Sequence, residues 1–260
     1  MSAAVRVQRG GQVVEVVLDR PERRNALRDE DVAALRAVIA DVAVDSGVRA
    51  VLLRGEGKAF CAGRDLSTAD PADEDGGEVL DRVYNPLVAD LAALAVPTVA
   101  AVQGACLGAG LGLALACDVV LVADDAMLGS PFARIGAVLD SGAHRFLVDR
   151  VGPHRTLELV YTGRLLRGRE AAAWGLANRA VAGSRLLPVA RQLVEQIATG
   201  PTATFRASKR LVAAIRDEGL ALPDVLAAEA AAQSAASRTD DYAEGIAAFQ
   251  QKRTPAFRGH

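Results

Sequence analysis

Along the first half of the chain the spacing of apolar residues changes period repeatedly. "QVVEVVLD" is β-branched and bounded by glycines and Pro21, which predicts a strand. "DEDVAALRAVIADVAVD" puts Val32, Leu35, Ile39 and Val42 on one helical face, with Asp29 as the expected N-cap. "VRAVLLRG" is a short apolar run of the kind that forms a strand buried on both faces. "GGEVLDRVYNPLVADLAALA" predicts a helix interrupted near Pro86, and "PTVAAVQG" and "CDVVLVADD" predict two more strands. Strands alternating with helices imply an α/β fold built from βαβ units around a largely parallel sheet.

From about residue 141 the helical period dominates, broken by one predicted strand at "NRAVAG". "LLPVARQLVEQIAT", "TATFRASKRLVAAIRDEG" and "LPDVLAAEAAAQSAASR" predict consecutive helices, and "DYAEGIAAFQQKRTPAFRG" a short last helix with an irregular tail. These alanine-rich helices hold too few large side chains for a core of their own. They are expected to pack on the first region or on another subunit.

Composition narrows the function. The chain of 260 residues is 51% hydrophobic and 24% charged, with a formal net charge of −2, which argues against a general nucleic-acid binder. The N-terminus lacks the pattern of a signal peptide, and no run approaches the ~20 apolar residues that span a bilayer. Cys61, Cys106 and Cys117 are odd in number and lack metal-finger spacing, so a cytoplasmic protein with reduced thiols and no metal is expected. The acidic stretch "STADPADEDGG", residues 67–77, is expected to be a mobile loop.

Two glycine-punctuated segments, "GEGKAFCAGRDLS" and "QGACLGAGLGLALACD", each follow a predicted buried strand. Glycines and small residues admit a ligand close to the backbone and permit turns that aim N–H groups outward. Two such N–H groups can hold the oxygen of a polarised carbonyl as negative charge develops on it. The second segment then turns helical, which adds the positive end of a helix dipole. The alternative is that these glycines serve tight helix–sheet packing. Two turns in the same strand-to-helix context favour the anion reading.

These segments resemble the crotonase (enoyl-CoA hydratase/isomerase) superfamily. "LDRPERRNAL" looks like its N-terminal signature, and "GEGKAFCAGRDL" and "AVQGACLGAGLGLALACDVVLVADDA" look like its two oxyanion loops. "IGAVLDSGAHRFLVDRVG" is similar to a later active-site segment, and "GIAAFQQKRTPAF" to the C-terminal signature. The resemblance implies a crotonase-like ββα spiral over residues 1–195 carrying a CoA-thioester site. Residues 196–260 would be a C-terminal helical region that builds a homotrimer or a dimer of trimers. It implies an acyl-CoA thioester substrate, with coenzyme A part of the substrate, no separate cofactor, and neither nucleic acid nor membrane as partner.

Carried over by position, the resemblance makes the N–H groups of Ala62 and Ala109 the oxyanion donors. It lays the strand of Ala62, Gly63, Arg64, Asp65 and Leu66 along the thioester arm. Lys58 and either Arg23 or Arg24 fall near the nucleotide end, the arginines being equally readable as solvated loop charges. Asp65 and Asp118 match acids better read as structural hydrogen-bond partners. Phe249 and Lys252 match residues that reach a neighbouring subunit's CoA, or else pack a helix and lie on the surface.

A hydratase of this family uses two glutamates on one water, and in this register their places fall at Gly112 and Phe132. No glutamate stands between Glu78 and Glu158. The remaining acid is Asp140, readable as a proton carrier or as the N-cap of the following helix, with His144 one turn on and able to pair with it. Burial in an apolar pocket would raise the pKa of Asp140 and suit it to proton transfer. Double-bond isomerisation is the favoured reaction. A catalytically silent acyl-CoA binder and a hydratase are the alternatives, and a hydrolase on this fold lacks a Ser-His-Asp arrangement. Cys61 and Cys106 read as small core residues. Phe132, Leu139 and the segment after Asp65 are expected to line the acyl pocket.

Overall fold

A computed structural model describes residues 4–67 and 74–260. Most of the expected acidic loop, residues 68–73, therefore lies outside the described residues. The chain starts with a hairpin, β1 (Val5–Gly10) antiparallel to β2 (Val13–Leu18), closed by the two-residue turn Gly11-Gln12. Helix α1 (Asp29–Val44) buries Val32, Leu35, Ile39 and Val42, the face read from their spacing. Its N-cap is Arg28 rather than Asp29, because Asp31 turns back to bond the Arg28 N–H and guanidinium.

Strand β3 (Ala50–Gly55) is buried along its whole length. Helix α2 (Gly76–Val79), capped by Asp75, starts inside the stretch expected to be loop. It runs through a π-helical turn at Leu80–Tyr84 into α3 (Asn85–Ala92), so the interruption near Pro86 is a widened turn rather than a break. β4 (Thr98–Val102), β5 (Ala105–Leu107), α4 (Ala109–Ala116), β6 (Val119–Ala123) and β7 (Met127–Gly129) follow. Next come α5 (Ala143–Thr162), β8 (Leu166–Arg167), α6 (Gly168–Ala173), β9 (Arg179–Val181) and α7 (Gly183–Ala198). The last three helices are α8 (Thr202–Glu218), α9 (Leu222–Ala236) and α10 (Asp240–Gln251).

The main sheet has the order β1-β2-β3-β4-β6-β9, parallel throughout except for the β1–β2 hairpin. A second sheet, β5-β7-β8, is made of strands two or three residues long. The short strand β5 lies beside the first glycine segment through a parallel bridge between Cys106 and Cys61. Glu15 on β2, Arg54 on β3 and Arg191 on α7 form an ion-pair cluster that ties helix to sheet. Helices α8 to α10 bury little in the single chain: α9 has no buried residue, and Val212, Leu222, Leu226 and Phe249 are exposed. Arg49 bonds the Thr202 hydroxyl and the Phe257 carbonyl, fixing both ends of this region to the sheet. No helix among the described residues is long and apolar enough to cross a membrane.

Candidate active site

The two glycine segments interlock. Cys61 N–H donates to the Ala105 carbonyl and Leu107 N–H to the Cys61 carbonyl, at 3.0 and 2.9 Å. A Cβ on Gly110 would stand 2.4 Å from the Cys61 carbonyl oxygen, so only glycine lets helix α4 come this close. Beside this crossing lies a cavity of about 610 Å³. Its walls come from Ala62–Arg64, Leu107–Ala109, the π-helical turn with Leu80 and Tyr84, and the segment from Pro131 to Asp140. Leu66, the first residue expected from the segment after Asp65, also faces it.

The backbone donors are distributed differently from expectation. Ala62 N–H already donates to the Arg24 carbonyl at 3.0 Å, so it is not open to a ligand. Gly63, at φ +94°, reverses the strand's alternation, and Asp65 N–H then donates to the Leu27 carbonyl. Among the described residues, Arg64 N–H between them has no acceptor. Ala109 N–H, at the first position of α4, has none either, as expected of a helix start. Both residues line the cavity.

Asp140 is the only carboxylic acid among the described residues lining it. The N-cap of α5 is Gly142, and Asp140 contributes to that helix start only its carbonyl, which accepts the Ala143 N–H at 3.0 Å. The capping reading of its carboxyl is therefore wrong. Asp140 Oδ1 and the neighbouring Ser141 Oγ are buried without a hydrogen-bond partner. Burial pushes the carboxyl pKa up; the nearby Ser141 hydroxyl and the positive fields of Arg64 and His144 hold part of that rise back. His144 is exposed and makes no ion pair with Asp140, so the pairing one turn apart does not form.

The two positions matched to hydratase glutamates are filled otherwise. A Cβ on Gly112 would meet the Ser141 carbonyl oxygen at 2.3 Å, so backbone occupies the space a side chain would need. Phe132 lines the cavity, with its ring edge 3.1 Å from where a Cβ of Gly108 would lie. Leu139 faces away into a second, apolar cavity of about 20 Å³, also bounded by Phe132. It does not line the main cavity as expected.

The remaining expected residues lie around this centre. Asp65 bonds Arg20 and Ser67, and Asp118 holds the Thr98 N–H and hydroxyl and pairs with Lys209, so both carboxylates are engaged in the framework. Lys58, Arg23 and Arg24 are exposed outside the cavity. The Pro21–Arg23 turn packs on Gly57, next to Lys58, which gathers these cations at one edge. Phe249 is 84% exposed on α10, and Lys252 caps that helix; neither lines the cavity of its own chain. Burial pushes the Cys61 thiol up to about 12 and raises Cys106 as well, which leaves both as inert core residues. No cluster of three metal-ligating side chains occurs among the described residues. Sequence reading missed Arg64 N–H, Tyr84 and Ser141. Gly63 was the available signal for the first, since a glycine with positive φ inverts which N–H faces which side.

With this geometry in place, comparison with known proteins fixes the family: the enoyl-CoA hydratase/isomerase model matches residues 8–260. The chain belongs to the enoyl-CoA hydratase/isomerase family. A relative in this family, the 1,2-epoxyphenylacetyl-CoA isomerase of Escherichia coli, is 37% identical over 251 residues, 95% of each chain. The human mitochondrial enoyl-CoA hydratase domain-containing protein 2 is 36% identical over 252 residues, covering 95% of this chain and 86% of its own. The crystal structure of an enoyl-CoA hydratase from Bacillus anthracis superposes with a TM-score of 0.92 at 30% identity, over 99% of this chain and 100% of that one. The crotonase fold expected from the motifs is thereby established. The names within the family divide between hydratase and isomerase.

Proposed function

We propose that this enzyme isomerises an unsaturated acyl-CoA by carrying one proton between two carbons on Asp140. The observation that carries the reading is Asp140, the one carboxyl among the described residues on an otherwise largely apolar cavity wall, which it shares with two backbone N–H groups that have no acceptor among those residues. In this mechanism the thioester oxygen of a 3-enoyl-CoA sits between Arg64 N–H and Ala109 N–H. The Asp140 carboxylate removes a proton from the α-carbon, and the C–H electron pair flows into the thioester to give a dienolate held by the two donors. The same carboxyl then returns the proton to the γ-carbon, and the double bond comes to rest in conjugation. Atoms and charge balance without a second acid.

Hydration needs an acid and a base within reach of one water and the reacting carbons. The positions that supply them in a two-glutamate hydratase are here a glycine closed over by Ser141 and a phenylalanine. The cations Lys58 and Arg23 or Arg24 would meet the nucleotide end of CoA. The exposed apolar residues of α8 to α10 would be covered in a trimer or dimer of trimers, bringing Phe249 and Lys252 to a neighbour's CoA.

The test is product identity. Purified enzyme is given 3-enoyl-CoA and, separately, 2-enoyl-CoA, and products are separated by chromatography. Conversion of the 3-enoyl to the 2-enoyl thioester without 3-hydroxyacyl-CoA is expected. Hydration as the main reaction would overturn the proposal, and binding without turnover would support the silent acyl-CoA binder.

A further inference from the structure

The segment that presents Asp140 is held in an unfavourable shape. Ser141 has φ +54°, a conformation that side-chain-bearing residues seldom adopt, and Gly142 follows at φ +74°. Ser141 is buried, at 2% exposure, and its hydroxyl has no hydrogen-bond partner. Neither feature favours this local backbone, so something outside the segment must fix it.

The structure shows what does. Within helix α4, Gly112 lies directly under the Ser141 peptide: a Cβ there would stand 2.3 Å from the Ser141 carbonyl oxygen and 2.7 Å from its Cβ. Helix α4 is buried at every residue, and its first N–H is the unpaired donor of Ala109. One short helix thus carries both that donor and the surface on which the Asp140 segment rests.

We propose that Gly112 is a positioning residue: its missing side chain opens a seat for the Ser141 peptide, and that seat holds the Asp140 carboxyl at a fixed distance from the Ala109 N–H. The glycine is then more than a lost acid, because the space a glutamate would take is used to deliver the aspartate. This rests on Asp140 being the proton carrier.

Two variants test it, each assayed for kcat, KM, the pH dependence of kcat and thermal melting, with Asp140→Asn in parallel. Gly112→Ala pushes the Ser141 peptide off its seat and is expected to lower kcat by about tenfold to a hundredfold, the cost of displacing a reacting group by about 1 Å. Ser141→Gly fits φ +54° better than serine and removes the Cβ that fills the seat. It is expected to melt no lower than wild type while kcat falls severalfold, KM stays within about twofold, and the rise of kcat with pH moves to higher pH, because the Asp140 carboxyl loses the Ser141 hydroxyl that held part of its pKa rise back. The charged or titratable groups facing that carboxyl, Arg64, Tyr84 and His144, are unchanged in both variants. A merely structural role would lower stability and activity together; the opposite movement in Ser141→Gly marks positioning.

If Gly112→Ala keeps wild-type kcat, the proposal is overturned, and it is overturned equally if Ser141→Gly keeps wild-type kcat and pH profile. If Asp140→Asn is as active as wild type, the proton-carrier reading fails and the positioning claim falls with it. Loss of activity in Asp140→Asn with full activity in Ser141→Gly separates the two failures.

Discussion

At the scale of single residues, the cavity holds a carboxyl whose ionised form the fold disfavours. Asp140 Oδ1 is buried without a partner, and burial raises its pKa. The folded state therefore binds a proton more readily than the unfolded chain. Stability is greatest where both states are protonated, falls as pH rises from the ordinary carboxylate range through the raised folded pKa, and stays lower above it. Asp140→Asn removes that burden. It is expected to melt above wild type near neutral pH by about 2–4 °C, the shift that ~1 kcal/mol gives in a chain of this size. The difference should shrink in acid, and equal melting at all pH values would contradict this. Asp140 itself was legible in the sequence because no glutamate competes with it between Glu78 and Glu158. The precise donor beside it was not. Ala62 and Arg64 differ only through a backbone reversal at Gly63, and which N–H is already spent on the Arg24 carbonyl depends on a loop nearly forty residues away.

At the scale of elements, the site is the start of one helix. Proline is tolerated at the first position of a helix, where the N–H has no helical acceptor. Ala109→Pro should thus leave α4 folded while deleting one donor, with a loss of about 10²–10³ in kcat and an unchanged circular dichroism spectrum. An undiminished kcat in that variant would remove Ala109 N–H from the mechanism. Periodicity predicted the long elements well: the buried runs of β3 and β4 and the face of α1 formed as read. It did not reveal β5, β7 and β8, because strands of two or three residues carry too little pattern and exist through pairing with distant segments. Edge strand β1 was missed because most of it faces solvent and buries no apolar row. The start of α5 differs for another reason: a backbone turn through Ser141 and Gly142 closes it, and the Asp140 side chain, one of whose two readings was a cap, takes no part.

At the scale of the whole molecule, the cavity depends on the sheet that supports both loops. Glu15 takes bonds from Arg54 and Arg191, joining two neighbouring strands to α7. Burial by itself would raise the Glu15 pKa, but the hydrogen bonds from Arg191 and Arg54 outweigh it and leave the pKa lowered. The ion pair thus contributes stability above the ordinary carboxylate range, and that contribution is lost as pH falls through the lowered value. Glu15→Ala, which leaves the Arg54 guanidinium with Glu56 and takes the carboxylate from Arg191, is expected to cost about 1.5–3 kcal/mol by denaturant unfolding at neutral pH. A cost below ~1 kcal/mol would show the cluster to be dispensable. All of these supports converge on one aspartate beside two backbone donors, so its chemistry is the most direct test. The measurement is the kcat for conversion of 3-enoyl-CoA to 2-enoyl-CoA by wild type and by Asp140→Asn. Isomerisation by wild type is expected, with a drop of about 10²–10⁴ in the variant and CoA-thioester binding retained. An Asp140→Asn enzyme that isomerises at the wild-type rate would contradict the proton-carrier role of Asp140.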